Sequence, residues 1–258
     1  MILCLDVGNT HFYGGVFQEE KLLMQFRYPS TFDCTSDQLG VFLKGILREN
    51  DIDPNLIAYT SVSSVVPSLD YSIRACFLKY FSIEPLFLKI GLKTGLRILY
   101  KNPQEIGSDR IANAVAAAYQ FPQKNIIVID LGTATTFDII SSESIYLGGV
   151  IMPGINLAMK TLNENTAKLP PVTIVKSQSV IGQTTIANIQ AGLFYGNLGA
   201  FNEIVGRITT EAFKNKEVIV IGTGGFSHLF EDEKIFTTII PDLVLQGLRL
   251  VLKKNMSA

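Results

Sequence analysis

The stretch Ile2-Leu3-Cys4-Leu5-Asp6-Val7-Gly8-Asn9-Thr10 is an apolar run that stops at an acid and turns on a glycine. It has a counterpart at Ile126-Ile127-Val128-Ile129-Asp130-Leu131-Gly132-Thr133-Ala134-Thr135, offset by 124 residues in a chain of 258. A short apolar run bounded by turn residues reads as a buried strand, and the Asp-x-Gly that ends it as a tight turn. Each copy continues with a second β-rich stretch (12–17 and 136–140), a polar turn (18–21 and 141–144) and a third β-rich stretch (22–28 and 145–152). An offset close to half the chain points to duplicated lobes, each built on a sheet with helices to follow. Further strands at 56–62, 85–89 and 217–221, with helices at 36–49, 109–119, 185–213 and 243–253, complete an alternating α/β order. The expected division is 1–115 and 116–258, without a low-complexity linker, and the cleft between lobes is the default ligand site.

Composition narrows the partners. With 47% hydrophobic and 17% charged residues, the chain can bury a substantial core, which excludes disorder and a small disulfide scaffold. Lys and Arg total 22 against 23 Asp and Glu, so no basic excess points to nucleic acid or anionic lipid. Cys4, Cys34 and Cys76 form no C-x-x-C pair and have only His11 and His228 to join them, which argues against a structural zinc site. The opening residues have no basic region before the apolar run and read as a strand rather than a signal peptide, and no apolar stretch reaches membrane-spanning length. The expected compartment is the cytoplasm.

Asp6-x-Gly8-Asn9-Thr10 places a carboxylate at a strand end, a permissive glycine and two polar side chains in one loop. Alone, such a loop is more often an ordinary hairpin turn whose Asp caps its own backbone. Paired with the Asp130 loop, it suits a polyphosphate gripped by backbone amides and hydroxyls, with Asp6 and Asp130 holding cations that offset its charge. Gly107-Ser108-Asp109-Arg110 opens a helical pattern, so Ser108 or Asp109 can be its N-cap. The same segment can receive an anion at a helix start, with Arg110 matched to a carboxylate and Asp109 left to accept a proton from an alcohol. Gly222-Thr223-Gly224-Gly225 follows a strand and lets the backbone approach a flat ring, but lacks the Lys and Ser/Thr of a P-loop, and neither acidic loop carries G-x-G-x-x-G. His11 and His228 read as surface or cap residues. Gly192, Gly196, Gly199 and Ala200 in the 185–213 stretch let another helix approach closely, within the protein or in a second subunit.

Taken in order, Asp6-Val7-Gly8-Asn9-Thr10, Tyr100-Lys101-Asn102-Pro103, Gly107-Ser108-Asp109-Arg110, Asp130-Leu131-Gly132-Thr133-Ala134-Thr135 and Gly222-Thr223-Gly224-Gly225 resemble the type III pantothenate kinase family. The resemblance spans nearly the whole chain. Gly148-Gly149-Val150-Ile151-Met152-Pro153-Gly154, Thr166-Ala167-Lys168-Leu169-Pro170 and Gly182-Gln183-Thr184-Thr185 add to it. Departures are Ala191-Gly192, where the family often has Ser-Gly, and Phe226-Ser227 after the glycines.

The resemblance implies a duplicated actin-like, sugar-kinase-like (ASKHA) α/β fold, each lobe a mixed sheet flanked by helices. It implies an ATP-dependent transferase that phosphorylates the terminal hydroxyl of pantothenate, opening coenzyme A biosynthesis. By the same resemblance Asp6, Val7, Gly8, Asn9, Thr10, His11, Phe12 and Tyr13 bind ATP with Thr133, and Asp130 coordinates potassium or ammonium. Tyr100, Gly107, Ser108, Asp109 and Arg110 contact pantothenate, with Asp109 as proton acceptor, and Thr185 contributes across a homodimer interface. Mg2+ accompanies ATP, with Asp6 reaching it directly or through water. The competing readings are another phosphotransferase or polyphosphate hydrolase of the same fold, and a non-catalytic nucleotide-binding regulator. Carboxylates at Asp6, Asp109 and Asp130 together count against the last.

Overall fold

The structure is a computed structural model that describes residues 1–30 and 34–256; residues 31–33 and 257–258, which fall inside the two expected lobes, lie outside the described residues. In chain order the elements are β1 (Ile2–Val7), β2 (His11–Gln18), β3 (Lys21–Pro29), α1 (Ser36–Glu49), β4 (Tyr59–Ser64), α2 (Pro67–Phe81), β5 (Leu86–Phe87), β6 (Arg97–Ile98) and α3 (Ser108–Gln120). They continue as β7 (Asn125–Leu131), β8 (Ala134–Ile140), β9 (Ile145–Pro153), α4 (Ile155–Glu164), α5 (Thr185–Phe213), β10 (Val218–Thr223), β11 (Thr238–Ile239) and α6 (Leu243–Met256). The chain divides into two compact units, Met1–Gly95 with Lys101–Ala116 and Leu243–Ala258, and Leu96–Tyr100 with Ala117–Asp242.

The first unit is built on a sheet of order β3-β2-β1-β4-β5. β1 is apolar on both faces because both are covered, and every residue in it except Asp6 is buried. It pairs antiparallel with β2 and parallel with β4. Leu3, Leu5, Val7, Phe12 and Val16 pack with Leu39, Leu43 and Leu47 of α1 and with Leu69, Ile73 and Phe77 of α2. Each such buried side chain contributes about 1.5–3 kcal/mol relative to exposure. Helix α1 starts where Thr35-Ser36-Asp37-Gln38 forms a capping box: Thr35 Oγ1 accepts from the Gln38 amide at 3.2 Å, and the Thr35 amide donates to Gln38 Oε1 at 2.9 Å.

The last helix, α6, belongs to this unit although it follows 116 in sequence. Its apolar side, including Leu245, Leu248 and Leu252, lies against β1, β2 and β4. Gly247 sits so close to the Ala112 carbonyl of α3 that a Cβ has no room. The chain leaves the first unit at Ala116, and only a helix with an apolar face that needs a sheet brings it back.

The second unit has a sheet of order β11-β10-β7-β8-β9-β6. Without β6, this repeats the first order strand for strand, with β7 in the place of β1. Even the irregularities match, since a register shift interrupts β2 between Val16 and Phe17 and β8 between Ile139 and Ile140. The core joins Ile127, Ile129 and Phe137 to Phe194, Phe201 and Phe230, the rings of Phe194 and Phe230 being stacked with centroids 5.1 Å apart. Helix α5 starts at a Thr184 cap, whose side chain accepts from the Ala187 amide at 3.1 Å, and ends at Lys214 in the left-handed conformation. No helix among the described residues is long and apolar enough to cross a membrane.

Candidate functional site

In the first unit Asp6 stands one residue before the end of β1. Its neighbours in register are Tyr13 on β2 and Ser63 on β4. The loop beyond it is tight, with the Gly8 amide donating to the His11 carbonyl at 3.0 Å. Ser30 secures it by donating from Oγ to the Gly8 carbonyl at 2.7 Å and from its amide to the Thr10 carbonyl at 3.0 Å. Of the residues expected to meet ATP, Asn9, Thr10 and His11 are exposed, whereas Val7 and Phe12 are core residues and Tyr13 is buried. The Tyr13 hydroxyl donates to Gln25 Oε1 at 2.6 Å and its ring lies under the Arg27 guanidinium. Val7, Phe12 and Tyr13 therefore hold the hairpin in place, and its tip is the part open to a ligand.

Ser108 is the first residue of α3, but the Gly107 carbonyl accepts the first helical bond, from the Ile111 amide at 3.2 Å. The Ser108 hydroxyl is engaged with β4: it accepts from the Ser64 amide at 3.0 Å, lies 2.8 Å from Ser63 Oγ, and donates to the Ser64 carbonyl at 3.2 Å. Asp109 Oδ1 accepts from the Arg110 amide at 2.8 Å. A Cβ on residue 107 would run into the Asp109 carboxylate, so glycine there leaves the acid its place. Asp109 keeps some solvent exposure, yet is enclosed by enough protein that loss of hydration raises its carboxyl above the ordinary value. The Arg110 amide and then its guanidinium charge pull the other way without cancelling that effect. Arg110 is itself buried.

In the second unit Asp130 holds the position of Asp6, with Thr136 on β8 and Thr223 on β10 beside it in register. Glycines crowd this loop. A Cβ on Gly224, whose φ is +83°, would lie 2.5 Å from Asp130 Oδ1 and 2.7 Å from the Leu131 backbone. Gly154, ahead of α4, donates its amide to the Thr133 carbonyl at 3.2 Å and leaves no space for a Cβ against that same oxygen. Around Asp130 the chain is thus packed backbone against carboxylate, with glycine required at 224. No cluster of three or more His, Cys, Asp or Glu side chains that would hold a divalent ion occurs among the described residues.

Tyr100 belongs to the second unit through β6, which adds to the edge of β9. The Leu99 amide donates to the Tyr146 carbonyl at 2.9 Å, and the rings of Tyr100 and Tyr146 have centroids 6.5 Å apart. Tyr146 is fully buried and donates to Asp138 Oδ1 at 2.6 Å. Thr185 is exposed at the start of α5. Along that helix Gly192, Gly196 and Gly199 would each accept a Cβ without meeting any atom within 4 Å. His228 is exposed beside Glu231, and His11 is exposed on its hairpin.

Sequence reasoning missed Ser63, Ser64, Asp138 and Tyr146. An acid amid apolar neighbours at 137–140 was the available signal for Asp138; nothing distinguished the serines. The three cysteines are free and buried, and burial pushes the Cys76 thiol up to about 12 and raises Cys4 further, so neither of these two offers a reactive thiolate.

The duplicated strand order is that of the actin-like, sugar-kinase-like (ASKHA) α/β fold. In keeping with this, the inorganic polyphosphate/ATP-glucomannokinase of Arthrobacter sp. strain KM superposes with a TM-score of 0.51 at 15% identity, over 100% of this chain and 99% of that one. The chain belongs to the type III pantothenate kinase family, whose model matches residues 2–207. It is 52% identical over 255 residues to the type III pantothenate kinase of Legionella pneumophila strain Paris, covering 99% of each chain. It is 51% identical to type III pantothenate kinase 1 of Francisella tularensis subsp. holarctica strain OSU18, covering 99% of this chain and 100% of the relative.

Proposed function

We propose that the chain transfers the γ-phosphoryl group of ATP to the terminal hydroxyl of pantothenate, giving 4′-phosphopantothenate and ADP, with Asp109 as the group that orients the hydroxyl and takes its proton. The observation that carries this reading is the family match over residues 2–207, and Asp109 suits the role as a largely enclosed carboxylate held at a helix start beside Arg110. The hydroxyl oxygen forms a bond to the γ-phosphorus as the bond to the β-phosphate oxygen breaks. Such a transition state needs positioning and charge compensation more than covalent help.

The exposed tip of the Asp6 hairpin, Gly8 to His11, supplies amides and hydroxyls to the ATP phosphates, and Thr133 does the same from the second unit. Asp130 holds potassium or ammonium. Mg2+ enters with ATP, reached by Asp6 directly or through water, and supplies charge neutralisation at the phosphates. Tyr100, Gly107, Ser108 and Arg110 bind pantothenate, with Arg110 facing its carboxylate. The open glycine face of α5 fits a second copy of the chain, so that Thr185 serves the partner's substrate, in a cytoplasmic homodimer.

The test is to incubate the purified chain with ATP and pantothenate, with and without potassium, and to follow phosphopantothenate by mass. A panel of other alcohols and carboxylates runs beside it. Product from pantothenate alone supports the reading, and product only from a sugar or acetate rejects it.

A further inference from the structure

Ser63 lies at the end of β4, beside Asp6 in the parallel register, and is fully buried. Its hydroxyl meets Ser108 Oγ at 2.8 Å, and hydrogen-bond bookkeeping decides which of the two donates. A serine hydroxyl has one proton and two lone pairs. Ser108 Oγ already accepts from the Ser64 amide, and its proton is needed for the Ser64 carbonyl at 3.2 Å. All three bonds are made at once only when Ser63 donates and Ser108 accepts. Ser108 is then saturated, and the residue immediately before Asp109 is fixed to the strand that runs beside Asp6.

We propose that Ser63 is a positioning residue for phosphoryl transfer: by donating to Ser108 it sets the first turn of α3 and thereby the place of the Asp109 carboxylate. This rests on the reading of Asp109 as the group that takes the alcohol's proton. At that point the Ser63 bond adds to the two that Ser108 makes with Ser64. Gly107 contributes no side chain, Ser108 spends its hydroxyl on β4, and Asp109 Oδ1 binds the amide of its own neighbour. With the Ser63 donor gone, one lone pair of Ser108 loses its partner and the turn is held by the two Ser64 bonds alone, which loosens it. A displacement on the order of 1 Å at a reacting group costs about 10²-fold in rate, so a partial release is expected to cost about tenfold.

The experiment measures kcat, the two KM values and the pH dependence of kcat for Ser63→Ala, Asp109→Asn and the double variant. Positioning predicts that S63A lowers kcat about tenfold, leaves the KM for ATP unchanged within error and alters the acid limb of the pH profile. In the D109N background, S63A then has no further effect, because there is no base left to misplace. Unchanged kcat in S63A overturns the proposal. So does an equal loss in both backgrounds, which assigns Ser63 a general structural role. Near-wild-type turnover of D109N alone is a different failure: it removes the Asp109 reading, and this proposal with it, before S63A is considered. If S63A does not fold, Ser63→Cys replaces the hydroxyl by a weak donor, leaves both Ser108–Ser64 bonds in place and is read in the same two backgrounds.

Discussion

Replacing Asp109 by Asn keeps the size of the side chain and an oxygen for the Arg110 amide, which Oδ1 now receives at 2.8 Å. What disappears is the negative charge and the ability to take a proton. Turnover is expected to fall by roughly 10²–10⁴, the range general-base removal spans, with ATP binding kept. Stability should move in the opposite direction. Because burial raises the Asp109 carboxyl above its ordinary 3.8, the folded chain holds that proton more tightly than the unfolded chain does. The group therefore favours folding below the ordinary value, and that contribution is lost as pH rises through the raised folded-state value. At neutral pH the ionised carboxylate is a net cost, and D109N removes it. Thermal melts of both proteins across a pH series should show D109N the more stable at neutral pH, with the gap closing on acidification toward the ordinary carboxylate range. The wild-type pH-rate profile should rise through a value above that range. A stability gain that is the same at every pH, or turnover close to wild type, refutes the argument that a desolvated base sits at this position.

Gly224→Ala places a Cβ at a φ of +83° and against the Leu131 backbone, where no rotamer change relieves it. The conformation alone costs roughly 1–2 kcal/mol, so a Tm several degrees lower and a weaker response to potassium are expected, and an unchanged melt disproves the crowding. Tyr146→Phe removes the 2.6 Å bond to buried Asp138 and should destabilise by about 1–3 kcal/mol in urea titration, whereas a neutral result shows that Asp138 does not depend on it. Glu84→Gln breaks an exposed ion pair with Arg74, both side chains more than half open to solvent, and should leave Tm unchanged; a clear drop shows that the pair anchors the end of α2.

The duplication was legible because its physics is local. Strands covered on both faces must be apolar throughout, so β1 and β7 stand out as unbroken runs ending at Asp6 and Asp130. Helices α1 and α5 were equally plain, both from their apolar periodicity and the second also for its length. Helix α2 was missed: Val66 at its N-cap has no capping side chain, and exposed Tyr71 and Leu78 blur the apolar face. Pro67 at its first turn, with Asp70 behind it, was the usable sign. Helix α4 begins after a glycine with no cap at all. The strand expected at 56–62 starts late, at Tyr59, because Pro54–Leu56 closes a 3-10 turn first. The two residues of β6 and the return of α6 to the first unit depend on partners distant in sequence, which no local pattern encodes.

The site divides along the same line. Asp6, Asp109 and Asp130 stand out in the sequence because acids at strand ends and helix starts are chemically conspicuous, but what distinguishes the two copies is written in the register. Beside Asp6 the next strand ends in Ser63-Ser64, and both residues take hold of Ser108. Beside Asp130 the equivalent strand ends in Thr223 and passes straight into Gly224-Gly225, where the missing side chains bring backbone against the carboxylate. One strand end thus anchors the start of α3, and the other clears space around Asp130. Duplication supplied the same scaffold twice, and the residues at the end of each parallel strand set the two acids in different surroundings. A serine in a strand and a glycine after one are unremarkable in sequence; they acquire meaning only through the neighbour that the sheet sets beside them.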